Sequence, residues 1–238
     1  KAYTPWEWHE AIINKAKKLG IICFSSPFDE TAVDFLESLN VPAYKIASFE
    51  NTHIPLIKKI AQTGKPVILS TGMASLDEIR LAIKTLVKNG CKEYSLLKCT
   101  SSYPANPKNI NLNTIQDMKK TFKCEVGLSD HTLGISTSIA AIALGATIIE
   151  KHFILDRKEG GVDSKFSLEP NEFKNLVEGS LIAWQSLGKI KYGATSEERS
   201  SLKNRRSIYF IRDLKKGEII SKDCLKIVRP NKGLSPKY

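Results

Sequence analysis

The run Glu125-Val-Gly-Leu-Ser-Asp-His-Thr132, then Gly134-Ile-Ser-Thr-Ser-Ile-Ala-Ala-Ile-Ala-Leu-Gly145, then Ala146-Thr-Ile-Ile-Glu-Lys-His-Phe153, decides the fold. Glu125–Leu128 and Ala146–Ile149 are brief, β-branched and glycine-bounded, which predicts two buried strands. Between them Ile135–Leu144 has the length and alanine content of a helix, with Gly145 where a helix stops. The product is a strand–helix–strand unit in which each strand ends in a polar cluster holding a histidine. Ile148, Glu150 and His152 share parity and so face one side. In parallel α/β folds ligands bind at the carboxyl ends of strands. His131 and His152, beside Asp130 and Glu150, are therefore candidates to share one divalent metal; simple capping of strand ends is the competing reading.

The same rhythm runs through the preceding residues. Thr4-Pro5-Trp6-Glu7 opens a helix, with Thr4 as candidate N-cap and Pro5 at its first position, and Gly20 ends it. Ile21–Ser26 reads as a strand broken by Pro27, with Asp29 capping the next helix. Ala43–Ala47, Val67–Leu69 and Tyr94–Leu97 read as further strands, alternating with helices over Pro55–Ala61, Leu76–Lys88 and Leu112–Thr121. Six strand–helix units in series fit either a doubly wound sheet or part of a (β/α)8 TIM barrel. No G-x-G-x-x-G or P-loop appears, which argues against a nucleotide sheet, whereas polar residues after every strand suit a barrel with its site at the mouth. A last barrel helix over Asn171–Ser186 precedes a polar linker, residues 188–205. From Arg206 short apolar runs, Ser207–Ile211, Leu214–Ile220 and Leu225–Arg229, predict a small β-rich second domain over 206–238 that is too short to be complete.

Composition narrows the functional classes. Of 238 residues 42% are hydrophobic, enough for a substantial core. No apolar run reaches the roughly 20 residues of a membrane span, and five scattered cysteines without C-x-x-C pairing suit a reducing, cytoplasmic setting. Nine of the eleven net positive charges lie in residues 189–238. Nucleic-acid binding is not expected, because few aromatics interleave with those charges.

Ser26, Ser48, Ser70, Ser101 and Ser129 fall at or just after predicted strand ends, as do Lys45 and Lys98. Hydroxyls and ammonium groups on one mouth suit a phosphate. A lysine inside a barrel strand also permits imine chemistry, so a Schiff-base aldolase working through Lys45 is an alternative.

The runs Cys-Phe-Ser-Ser-Pro-Phe-Asp (23–29), Val-Pro-Ala-Tyr-Lys-Ile-Ala-Ser-Phe-Glu (41–50), Leu-Ser-Thr-Gly-Met-Ala (69–74), Lys-Cys-Thr-Ser-Ser-Tyr-Pro (98–104), Gly-Leu-Ser-Asp-His-Thr (127–132) and Ile-Glu-Lys-His-Phe (149–153) resemble the sialic acid synthase family. The resemblance covers nearly the whole chain in order. It implies a phosphoenolpyruvate-dependent (β/α)8 barrel followed by a SAF, or antifreeze-like, domain, joining phosphoenolpyruvate to an open-chain acetamido sugar. It further implies that His131 and His152 bind Mn²⁺ or Mg²⁺. Lys45, Ser26, Ser48, Ser70, Ser101 and Ser129 would hold phosphoenolpyruvate; Glu50, Tyr103, Glu150 and Asp163 would line the sugar side. Glu50 and Glu150 become the candidates for proton handling. Arg229 matches an arginine that reaches the partner subunit's site, which implies a homodimer. Ser101 stands where sialic acid synthases proper place asparagine, which argues against N-acetylmannosamine as the sugar. The family's first two barrel strands have no counterpart, so the chain reads as part of a longer protein, with six of eight barrel strands and part of the SAF domain.

Overall fold

The computed structural model describes residues 4–238 and divides the chain after Gly188 into two units. In the first, five parallel strands follow one another across a sheet in chain order: β1 (Tyr44–Ile46), β2 (Val67–Ser70), β3 (Tyr94–Cys99), β4 (Glu125–Asp130) and β5 (Ile149–Lys151). Helices α1 (Trp6–Lys18) and α2 (Glu30–Ser38) precede them. α3 (Ile54–Gln62), α4 (Leu76–Lys88), α5 (Thr114–Phe122) and α6 (Ser136–Ala143) make the crossovers, and α7 (Pro170–Leu187) closes the unit. Lys45 and Glu150, on the first and last strands, form an ion pair at 3.5 Å. Neighbouring strands lie about 4.8 Å apart, so a flat sheet would separate those strands by about 19 Å. The sheet is therefore curled into a segment of a barrel, and its concave face is the barrel interior.

Alternation along each strand sorts the core from the mouth. Tyr44, Ile46, Val67, Leu69, Leu96, Val126 and Leu128 are buried on the convex face against Leu56, Ile57, Ile60, Leu86 and Ile115 of the helices. Each such side chain contributes about 1.5–3 kcal/mol by leaving water. The positions between them, Lys45, Ser70, Cys99 and Ser129, face the interior. Helix ends follow local chemistry. The Asp29 carboxylate accepts from Ala32 N–H, and Ser75 and Glu78 form a reciprocal capping box on α4. Gly145 (φ +94°) turns the chain out of α6 toward β5 in a conformation that costs glycine little.

Several expectations need correcting. Ile21–Ser26 is not a strand: Ser25 alone bridges to Tyr44, Pro27 cuts the run short, and Ile21 and Ile22 are exposed. Five strands and one bridge residue thus stand where six strands were expected. The strand placed at Ala146–Ile149 is β5, shifted toward Lys151, because Ala146 N–H is committed to closing α6 on Ala141. Pro5, not Thr4, occupies the N-cap of α1, with no side-chain cap. The residues before Thr4 lie outside the described range.

The second unit, Lys189–Tyr238, holds an antiparallel pair, β6 (Ser207–Phe210) and β7 (Leu225–Val228). Its polar lead-in contains a 3₁₀ helix, Glu197–Asn204, within what reads as linker. In Leu214–Ile220, read as short strands with a glycine turn, the turn is present at Gly217 (φ +88°) but no strand forms, and Ile219 and Ile220 are exposed. Arg229 is exposed just past β7.

Candidate active site

The barrel mouth carries two adjoining clusters. In the first, Lys45 Nζ donates to Ser70 Oγ at 2.8 Å and faces Glu150 Oε2, while Ser129 Oγ donates to Glu150 Oε1 at 2.7 Å. β1, β2, β4 and β5 each supply one of these groups, and parity aims all four inward. Close by, Gly72 N–H donates to Ser48 Oγ at 3.1 Å. A methyl group at Gly72 would land on the Ser101 hydroxyl and 2.6 Å from that of Ser48, so glycine keeps this wall of hydroxyls open. Buried Asn51 donates to the Gly72 carbonyl at 3.0 Å and fastens the turn after β1 to the turn after β2.

The second cluster is aromatic. The rings of His131 and His152 lie with centres 5.2 Å apart, Tyr103 packs 4.4 Å from His131, and Phe166 packs 4.9 Å from His152. His131 Nδ1 faces the Thr100 carbonyl at 3.0 Å, which orients that ring; His152 Nδ1 lies 3.5 Å from Asp163 Oδ2. Burial would lower His131's affinity for protons, but its contacts with Cys99 and Thr100 outweigh this and raise the pKa. Burial, and then the neighbouring His131 charge, lower that of His152. The pair thus titrates apart.

Two rings sharing one ion at about 2.1 Å from each nitrogen have centres about 5 Å apart, so the observed spacing fits a shared divalent cation. With Nδ1 of His131 turned to a carbonyl, its other nitrogen is the free donor. Among the described residues no group of three or more His, Cys, Asp or Glu is placed to hold a metal ion.

Glu50 stands apart from Glu150. Its Oε2 is buried without a hydrogen-bond partner, and burial pushes its pKa up, partly countered by its own backbone N–H, His53 and Lys45. Lys98, expected at the mouth, is not there. It has the opposite parity to Cys99 and lines a hollow on the helix side with Ile79, Asp117, Met118 and Phe122; its Nζ is spent on the Cys99 carbonyl and Thr100. Ser26 is likewise not drawn into the Lys45 cluster. It lines a cavity of about 540 Å³ with Trp6, His9, Phe28 and Phe35.

Cys99, Asn51 and Phe166 escaped the sequence reading. Burial alone would raise the Cys99 thiol, but hydrogen bonds with His131, Ser48 and Ser101 bring it down to about 7. Its inward parity with Leu97 was the available signal. Asn51 and Phe166 act across loops and left no periodic trace.

Residues 1–192 match the model of the NeuB family and residues 205–238 that of the SAF domain. The pseudaminic acid synthase of Campylobacter jejuni strain 81-176 is 43% identical over 100% of this chain and 69% of its own length. The N,N'-diacetyllegionaminic acid synthase of Campylobacter jejuni is 46% identical over 95% of this chain and 69% of its own. Among solved structures, an N-acetylneuraminic acid synthetase from Leptospira borgpetersenii superposes with a TM-score of 0.79 at 35% identity, covering 84% of this chain and 70% of that one. The chain therefore spans about two thirds of the length of these relatives. It belongs to the NeuB family and continues into a SAF domain.

Proposed function

We propose that the chain carries the catalytic mouth of a nonulosonic acid synthase. The reaction condenses phosphoenolpyruvate with 2,4-diacetamido-2,4,6-trideoxy-L-altrose, as in the pseudaminic acid synthases. The observation that carries this reading is the adjacency of two clusters on one barrel mouth: Lys45 with Ser70, Ser129 and Glu150, and the paired rings of His131 and His152. Carbon 3 of phosphoenolpyruvate bonds to the sugar aldehyde carbon, whose oxygen gains a proton. Water then adds at carbon 2, the bond from carbon 2 to the bridging oxygen breaks as phosphate departs with that oxygen, and the new hydroxyl loses its proton to leave the 2-keto acid.

Lys45 and the hydroxyls of Ser48, Ser70, Ser101 and Ser129 bind the phosphate and carboxylate of phosphoenolpyruvate through charge-assisted hydrogen bonds. His131 and His152 hold Mn²⁺ or Mg²⁺, which when bound supplies Lewis acidity toward the aldehyde oxygen. Tyr103, Glu150 and Asp163 line the sugar's path. Glu50, whose raised pKa lets it keep a proton at higher pH than an ordinary carboxylate, is the group suited to give and take one. Arg229 of one subunit completes the mouth of the other in a homodimer.

Phosphate release from phosphoenolpyruvate, assayed with that sugar and with N-acetylmannosamine, tests the reading. Preference for the first is expected; preference for the second moves the assignment to a sialic acid synthase. The legionaminic acid precursor is the third arm, motivated by the 46% identity to a legionaminic acid synthase. A second reading, Schiff-base chemistry at Lys45, is motivated by its buried position inside the barrel. It predicts a borohydride-trapped pyruvate adduct and activity that survives EDTA. The synthase reading predicts neither.

A further inference from the structure

Directly behind the two histidines, on the helix side of the sheet, lies a charge pair that the proposed chemistry does not use. Asp130 and Lys151 are register partners at the ends of β4 and β5. Each stands one residue before a histidine. Their side chains are 0% and 1% exposed, and Lys151 Nζ meets Asp130 Oδ2 at 2.9 Å. Three further hydrogen bonds hold the pair in place. Asp130 Oδ2 also takes the Ser138 hydroxyl of α6 at 2.6 Å, Oδ1 takes Thr132 N–H at 2.8 Å, and Lys151 donates to the Thr132 carbonyl.

We propose that the Asp130–Lys151 pair is a positioning device that sets His131 and His152 side by side. A buried ion pair adds little net stability compared with a well-packed apolar pair, so stability is a weak reason to place one here. What it supplies is direction. The β4–β5 ladder ends at these residues, and both histidines lie just beyond it. Their carbonyls are tied to different loops, that of His131 to Ala105 N–H and that of His152 to Leu168 N–H. Lys151 joins the two segments past the ladder by holding both Asp130 and Thr132, the residues flanking His131. Because parity alternates, locking Asp130 and Lys151 outward locks the following two side chains inward. Neither side chain bonds an imidazole, so the effect runs through the backbone; partners that bond such a ring directly matter by about 10–100-fold, which sets the scale.

The consequence for catalysis rests on the synthase reading; the geometry does not, and the two are tested separately. Through-space NMR contacts between the rings of His131 and His152 are measured in the full chain, in Lys151→Arg and in two neutral double variants, Asp130→Asn with Lys151→Met and Asp130→Asn with Lys151→Gln. Circular dichroism reports folding. The parent chain and Lys151→Arg should show the ring contact, and the folded charge-free variants should show it clearly weakened. Full contact in a folded charge-free variant overturns the proposal. So does failure of both charge-free variants to fold, which would make the pair a stability element. In the phosphate-release assay, kcat should fall about 10–100-fold in the charge-free variants, with phosphoenolpyruvate KM within about twofold. Parallel loss in both constants also overturns the proposal. Absence of turnover in the parent would leave the ring measurement, which needs no activity, to decide the proposal by itself.

Discussion

At the scale of single residues, the site is built from groups whose surroundings are unequal. The two glutamates illustrate it. Glu150 is matched to Lys45 and Ser129, whereas Glu50 has a buried oxygen with no partner and a pKa raised chiefly by burial. A raised carboxyl pKa means the folded state holds its proton more tightly than the unfolded state. The stabilisation is complete below the unfolded value and is lost as pH rises through the folded one. Glu50→Gln removes that term. Its urea midpoint should therefore rise relative to the parent between about pH 4 and about pH 8, and a pH-independent gap would refute the environment described for Glu50. Gly72 bears on both binding and stability. An added methyl meets the hydroxyls of Ser48 and Ser101 and lies 3.0 Å from Ser48 Cβ, so the Ser48 hydroxyl must turn from the Gly72 N–H it accepts. Gly72→Ala should therefore lose about 1 kcal/mol of stability, the worth of one hydrogen bond, while its calorimetric affinity for phosphoenolpyruvate falls about tenfold, about 1.4 kcal/mol. Unchanged affinity would remove these hydroxyls from the phosphate site.

Between elements, the tightest constraint is where β4 meets β5. Leu128 N–H donates to the Ile148 carbonyl at 2.8 Å, and a methyl on Gly127 would fall on that same carbonyl and 2.7 Å from both Ile148 Cβ and Leu97 Cδ2. Backbone cannot yield as a serine hydroxyl can. Gly127→Ala should cost about 2–3 kcal/mol in urea denaturation, through displacement of β5. A loss below about 0.5 kcal/mol would mean that the strands have slack. Because β5 carries Glu150 and leads into His152, the same substitution should weaken the contact between the histidine rings. Lys98 belongs to this scale as well: on a strand, one step of register decides between the mouth and the helix layer.

For the molecule as a whole, two units divide after Gly188, each with its own sheet. The lead-in to the second unit exposes Ile190 and Tyr192 almost completely, at 95% and 94%, and has no regular structure before Glu197. Exposed irregular chain is where proteases cut first. Brief trypsin treatment should cleave after Lys189 or Lys191 and leave the 1–188 portion resistant, as read by mass spectrometry. First cuts inside α3 or α4 would contradict the packing described here.

The periodicity of the chain determined the parallel α/β class, the helix of residues 76–88 to the residue, the Asp29 cap and the shared parity of Glu150 and His152. These depend on local rules, alternation along strands and capping at helix ends, which act over a few residues. Family motifs added roles that periodicity does not carry. Tertiary structure decided the rest. That Ile21–Ser26 pairs only at Ser25, and that Lys98 spends its ammonium on neighbours outside the barrel, depend on what lies beside them in space. The curvature that brings Lys45 to Glu150 across four strand spacings, and the Asp130–Lys151 pair behind the histidines, arise between residues some 20 to 100 positions apart. Such contacts form only once the strands have paired and the sheet has curled, because hydrogen bonding and burial act through distance in space and not along the chain.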